Sequence, residues 1–136
     1  MSITAKATYL GDLRTEWEHI KSGNKIVTDA PTDNNGKGQS FSPSDTVATA
    51  LAGCMMTIMG IKARDLDIDL TGMTAEITKH MGENPRRIAQ IDVFFQIPVE
   101  VNQKHKTILE NAAKTCPVGK SLHPEIVQNI EFHWKM

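Results

Sequence analysis

The stretch Phe41-Ser42-Pro43-Ser44-Asp45 followed by TVATALAGCMMTIMGI, residues 46–61, sets the architecture of this chain. Its opening carries the signature of a helix start. Ser42 can serve as N-cap, Pro43 suits the first helical position, and Asp45 stands three residues past the cap, where a capping-box acid belongs. The pattern predicts a helix from there to about Asp65, some 22 residues, or roughly 33 Å at 1.5 Å per residue. Its 16 uncharged residues fall short of the ~20 that a membrane span needs, and Thr and Gly dilute them further. The apolar residues nevertheless surround the axis. Val47, Ala50, Leu51, Ile58 and Ile61 share one side, and Ala48, Ala52, Met55 and Met59 another. A helix of that kind is buried on every face. A chain of 136 residues cannot enclose it unaided, so the expectation is a homodimer in which a second copy covers part of it.

On either side of the helix the periodicity is that of strands. Upstream, Ile3, Ala5, Ala7 and Tyr9 alternate with polar neighbours, as do Leu13, Thr15 and Trp17. Lys21-Ser22-Gly23-Asn24 reads as a hairpin turn into Lys25-Ile26-Val27-Thr28, and Asp29 to Gln39 is a turn-rich segment expected to be an exposed loop. Downstream, two strands are predicted over 69–81 and 87–99, joined by Gly82-Glu83-Asn84-Pro85. In the second, Ile91, Val93, Phe95 and Ile97 form one face, with Ile88 and Phe94 on the other. A helix is predicted over about 102–115, interrupted by Cys116-Pro117, then a short turn over 118–122 and a last strand over 126–134. Repeats and linkers are lacking, so 1–136 reads as a single α+β domain.

Composition narrows the function. At 40% hydrophobic and 23% charged the chain is an ordinary globular one. A net charge of −1 supplies no basic field for phosphates, which argues against nucleic acid as a partner. The segment MSITAKATYL lacks the basic-then-apolar pattern of a secretory signal. Two cysteines in such a chain suggest a reducing, cytoplasmic home, where thiols perform chemistry more often than they staple a fold.

Those cysteines are the chemical candidates. Taken alone, Cys54 within an apolar helix is a small core hydrophobe. Cys116, before Pro117, stands at an N-cap-like position whose N–H groups favour a thiolate, although an inert thiol at a helix break fits the same residues. The two lie 62 positions apart, and His19, His80, His105, His123 and His133 show no close ligand spacing, so neither a metal site nor a cofactor is expected. Asp45, nine residues before Cys54, falls on the opposite side of the helix and reads as a cap.

Together, Phe41-Ser42-Pro43-Ser44-Asp45 running into Ala50-Leu51-Ala52-Gly53-Cys54, and Ala112-Ala113-Lys114-Thr115-Cys116-Pro117 further on, resemble the OsmC/Ohr family of bacterial thiol-dependent peroxidases. The resemblance spans essentially the whole chain. It implies an intertwined α+β homodimer, with antiparallel sheets around long buried central helices. It further implies a reactive cysteine at Cys54, a resolving cysteine at Cys116, and a catalytic arginine at Arg14 in Gly11-Asp12-Leu13-Arg14. The implied activity is antioxidant. A Cys54 thiolate attacks a hydroperoxide, preferably an organic one given Met55, Met59 and Ile58, and the sulfenic acid condenses with Cys116. An external thiol or dithiol then reduces the disulfide. Peroxidase members of the family carry a glutamate ten residues before the reactive cysteine, bonded to the arginine. This chain has Ser44 there, leaving Asp45, Glu16 or Glu18 as substitutes. That departure keeps open a second reading, a non-enzymatic dimer that binds a small apolar ligand or senses redox state, and a third in which only the fold is shared.

Overall fold

The structure is a computed structural model that describes residues 2–136. Its contacts divide the chain into two compact units, Met1–Val47 and Ala48–Met136.

In the first unit β1 (Ala5–Gly11), β2 (Arg14–His19) and β3 (Lys25–Asp29) form an antiparallel sheet in that order. The β1–β2 connection holds Gly11, Asp12 and Leu13 at positive φ, a run of left-handed backbone that tightens the hairpin. The β2–β3 turn falls where the sequence predicts it, with Gly23 at φ +75 and its N–H bonded to the His19 carbonyl at 2.8 Å. The register sets Arg14 opposite Asp29 and Thr15 opposite Thr28. The loop that follows is exposed, as expected, but it is firmly closed on itself. Asn34 and Gly36 N–H both bond the Pro31 carbonyl at 2.9 Å, and Gly38 N–H bonds Ala30 at 3.1 Å. Gly36 approaches the Ala30 backbone so closely that no Cβ would fit.

Helix α1 (Pro43–Asp65) begins in the first unit and runs into the second. Its cap is the predicted box. The Ser42 Oγ accepts from Asp45 N–H at 3.1 Å, and Asp45 Oδ2 accepts from Ser42 N–H at 3.0 Å. Burial of the helix is one-sided within the chain. Ala48, Leu51, Ala52, Met55, Met59 and Ala63 are at most 2% exposed, whereas Val47 and Ile61 are open. One copy thus leaves part of the helix uncovered, as expected of a chain this short, because a single sheet can seal only one stripe of a helix. By length and composition α1 could cross a membrane, yet this stripe packs into the protein's apolar cluster as a core helix does.

The sheet it packs with comprises β4 (Thr74–Gly82), β5 (Arg87–Ile97) and β6 (Val127–Trp134), in that order. Ile91, Val93, Phe95 and Ile97 are 0–2% exposed, which is the inner face read from the sequence. Ile88 differs from expectation. His80 pairs with Gln90 and Met81 with Ile88, so Ala89 is an extra residue, a bulge that turns Ile88 inward to pack on the core. The sheet is not wholly antiparallel. β6 runs parallel to β5 because the chain returns through α2 (Gln103–Ala113) and α3 (Pro117–Ser121), a helical crossover of the kind parallel pairs require. Trp134 Nε1 donates to Glu110 Oε2 at 2.8 Å and ties β6 to α2. The other face of the sheet is polar. There His80 Nε2 lies 2.6 Å from Asp92 Oδ2, and Gln90 and Asn129 donate to Asp92 Oδ1.

Candidate active site

Cys116 is placed by a break between two helices. Lys114 caps the end of α2, and the Thr115 hydroxyl donates back to Ala112 at 2.7 Å. Pro117 disfavours helical backbone in the residue before it, and Cys116 is accordingly extended at φ −62, ψ 139. With Pro117 as first residue of α3, Cys116 becomes its N-cap, and its Sγ accepts from Gly119 N–H at 3.3 Å. Gln128 on β6 donates to the Gly119 carbonyl at 3.0 Å. A Cβ on Gly119 would lie 3.2 Å from the Cys116 sulfur, 3.2 Å from Gln128 Oε1 and 3.4 Å from Leu51 Cδ1, so a side chain there would fit only if the sulfur and the Gln128 amide gave way by a few tenths of an ångström.

Cys54 is half-buried on α1, one turn from Leu51. Both cysteines are free thiols, and Cys54 lies close enough to act on the ionisation of Cys116. The fold therefore brings together two sulfurs that are 62 positions apart. Cys116 is 2% exposed. Burial pushes its thiol above the ordinary value, and a thiolate on Cys54 would push it further; the Gly119 N–H pulls the other way and is outweighed. The sequence reading of Cys116 as a thiolate favoured by a helix start is corrected here, since desolvation outweighs the cap. In chemical terms, Cys116 is a thiol whose ionisation the fold suppresses. Met55 and Met59 are sealed in the core at 2% and 0% exposure.

Arg14 is held within the first unit. Its Nε donates to Asp29 Oδ1 at 2.8 Å, and its Nη2 to Asp29 Oδ2 at 2.9 Å and to Gln39 Oε1 at 2.8 Å. The Gln39 N–H also reaches Asp29 Oδ2, at 3.1 Å. The hydrogen bonds and charge of Arg14, with the Gln39 N–H, hold the Asp29 carboxyl below the usual carboxylate range, and Asp29 in turn raises the guanidinium. The sequence reading named other acids for this role. Asp45 is engaged in the helix cap, Glu16 faces Lys25 at 4.0 Å, and Ser44 Oγ lies 3.2 Å from Ser42 Oγ. Asp29 was legible in principle. A hairpin centred on Lys21-Ser22 pairs residues whose numbers sum to 43, which sets 14 against 29. Among the described residues no group of three or more His, Cys, Asp or Glu side chains is arranged to hold a metal ion.

A long apolar helix offering one thiol to a second thiol at a helix break, beneath a three-stranded sheet, defines an α+β protein of the two-thiol class. The model of the OsmC-like protein family matches residues 36–131, and the chain belongs to that family. A crystal structure from Psychrobacter arcticus, named as an osmotic stress induced and detoxification response protein, is 51% identical, with TM-score 0.95 over 98% of this chain and 97% of that one. An organic hydroperoxide resistance protein OsmC from Legionella pneumophila shares the fold at 19% identity and TM-score 0.72, covering 96% and 97%. So does an organic hydroperoxide resistance protein from Vibrio cholerae with captopril in one of its active sites, at 14% identity and TM-score 0.74, covering 97% and 92%. No curated protein matches the sequence.

Proposed function

We propose that this chain is a cytoplasmic, homodimeric thiol peroxidase that reduces organic hydroperoxides through Cys54 and Cys116. The observation that carries the reading is the electrostatic interaction between the two free thiols, with Cys116 the buried member whose ionisation is suppressed. The Cys54 thiolate attacks the O–O bond of a hydroperoxide. With one proton this gives the Cys54 sulfenic acid and releases an alcohol. The Cys116 sulfur then displaces the sulfenic oxygen as water, forming the Cys54–Cys116 disulfide. Two thiols, or one dithiol, return both cysteines to the reduced state and leave as a disulfide. Arg14 supplies a permanent cation to stabilise the Cys54 thiolate and to hold a peroxide oxygen. With Met55 and Met59 sealed away, an alkyl chain would meet Ile58.

The uncovered apolar surfaces support the dimer. Val47 and Ile61 on α1 are 38% and 56% exposed, and in the first sheet Tyr9 and Ile26 are 65% and 51% exposed. A three-stranded sheet keeps its stability by covering such a face. Sedimentation should give twice the chain mass; a monomer at micromolar concentration would overturn the dimer.

The activity is tested by adding stoichiometric cumene hydroperoxide to the reduced protein. An intrachain Cys54–Cys116 disulfide should form, Cys54→Ser should consume no peroxide, and Cys116→Ser should leave a sulfenic acid on Cys54 that dimedone traps. A wild-type chain that keeps both thiols after this treatment would overturn the peroxidase reading in favour of a ligand-binding dimer.

A further inference from the structure

We infer that Asp29, assisted by Gln39, is a positioning group for Arg14 and decides which edge of the guanidinium meets the reacting atoms. The inference rests on the reading of Arg14 as the cation of the peroxidase site. Four observations support it. Asp29 is 1% exposed, so the carboxylate is fixed in the protein rather than swinging in water. It takes the Nε and Nη2 donors side-on, the bidentate geometry in which a planar guanidinium loses its freedom to rotate. Gln39 closes the arrangement twice, accepting from Nη2 with its side chain and donating to Oδ2 with its backbone. Finally, β3 and the loop that ends at Gln39 are themselves anchored. Asp29 N–H bonds the Phe41 carbonyl at 3.0 Å, and Ala30 N–H bonds Leu13 beside the arginine at 3.1 Å.

Three of the five guanidinium N–H groups are thereby engaged. The two on Nη1 have no partner among the described residues, so Nη1 is the donor pair offered to a further anion or peroxide oxygen. The carboxylate also cancels much of the net charge of Arg14. Positioning and charge therefore pull in opposite directions when Asp29 is neutralised, and this separates the proposed role from a merely structural one.

The test compares Arg14→Met, Asp29→Asn and Gln39→Leu by two measurements. The first is the pH dependence of Cys54 alkylation in a Cys116→Ser background, and the second is kcat/KM for cumene hydroperoxide with both cysteines present. Arg14→Met should raise the Cys54 pKa and lower kcat/KM. Asp29→Asn should leave the Cys54 pKa unchanged or lower it, since a positive charge is unmasked, yet reduce kcat/KM by about 10-fold or more because the guanidinium is no longer aimed. Gln39→Leu, at an exposed position that leaves folding intact, should reduce kcat/KM by a few-fold with the pKa unmoved. Asp29→Asn and Gln39→Leu each within about twofold of wild type, while Arg14→Met is impaired, would overturn the positioning role and leave the peroxidase reading standing. Asp29→Asn raising the Cys54 pKa as Arg14→Met does would likewise overturn it. If Arg14→Met itself moves neither quantity, Arg14 is not the cation of the site, and the inference falls with that assignment.

Discussion

In the second unit the sulfur of Cys116 is withdrawn from water and touched by one backbone N–H, and its ionisation is suppressed. In the first unit the guanidinium of Arg14 keeps a third of its side chain in solvent and is gripped by three charge-assisted or polar bonds, and its ionisation is reinforced. One region controls a reactive group by desolvation, the other by hydrogen bonding to an opposite charge. Under the proposed peroxidase cycle, the difference matches the chemistry asked of each. A thiol that must wait for a neighbouring sulfenic acid is best kept neutral and close. A cation that must stay aimed needs partners that fix its plane. Burial controls through packing and answers to added volume, whereas the ionic clamp answers to pH.

That contrast can be broken experimentally. The largest effect should come from Gly119→Ala, because the new methyl group would press on Cys116 Sγ, Gln128 Oε1 and Leu51 Cδ1 at once. Overpacking of this kind costs about 1–3 kcal/mol, to be read from denaturant midpoints at unchanged m. Disulfide formation should slow more than sulfenic acid formation, because only the former needs the Cys116 sulfur in place. Equal rates and equal stability would show that the pocket is looser than its contacts imply.

An intermediate effect is expected in the acid limb of stability. The Asp29 carboxyl has a folded value below its unfolded one. Its stabilising contribution is therefore present above the ordinary carboxylate pKa and is lost as pH falls through the depressed folded value. Wild type should exceed Asp29→Asn in urea midpoint at pH 7, and the gap should shrink as pH falls below the ~3.9 of an unperturbed Asp. A gap that persists undiminished in acid would mean that packing, not charge, holds the clamp. The smallest effect should be that of Ser42→Ala, which removes the Oγ acceptor of Asp45 N–H and should cost about 1 kcal/mol. A thermal midpoint unchanged in this variant would show that α1 is held by its buried stripe alone.

Helix α1, its cap and its end were legible because capping and an uncharged run are local signals; Pro43–Asp65 needs no distant partner to be read. The inner face of β5 was legible for the same reason, four apolar residues at period two. The bulge at Ala89 was not, since a single slipped pairing leaves no mark on composition. Nor was the direction of β6, which depends on where two short helices return the chain. Within the candidate site, the resemblance named Cys54, Cys116 and Arg14. Asp29 escaped notice because it lies in a turn-rich stretch where an aspartate is ordinary, and only the strand register sets it against Arg14.

By itself, then, the order of residues determined the elements, the apolar faces and the thiols worth watching, because each of these is a property of neighbours along the chain. Tertiary structure alone decided that Cys54 acts on the ionisation of Cys116, that burial outweighs the helix start at Cys116, and that Asp29 grips Arg14. Those outcomes are set by desolvation and by contacts between residues distant in sequence, and both exist only after the chain has folded.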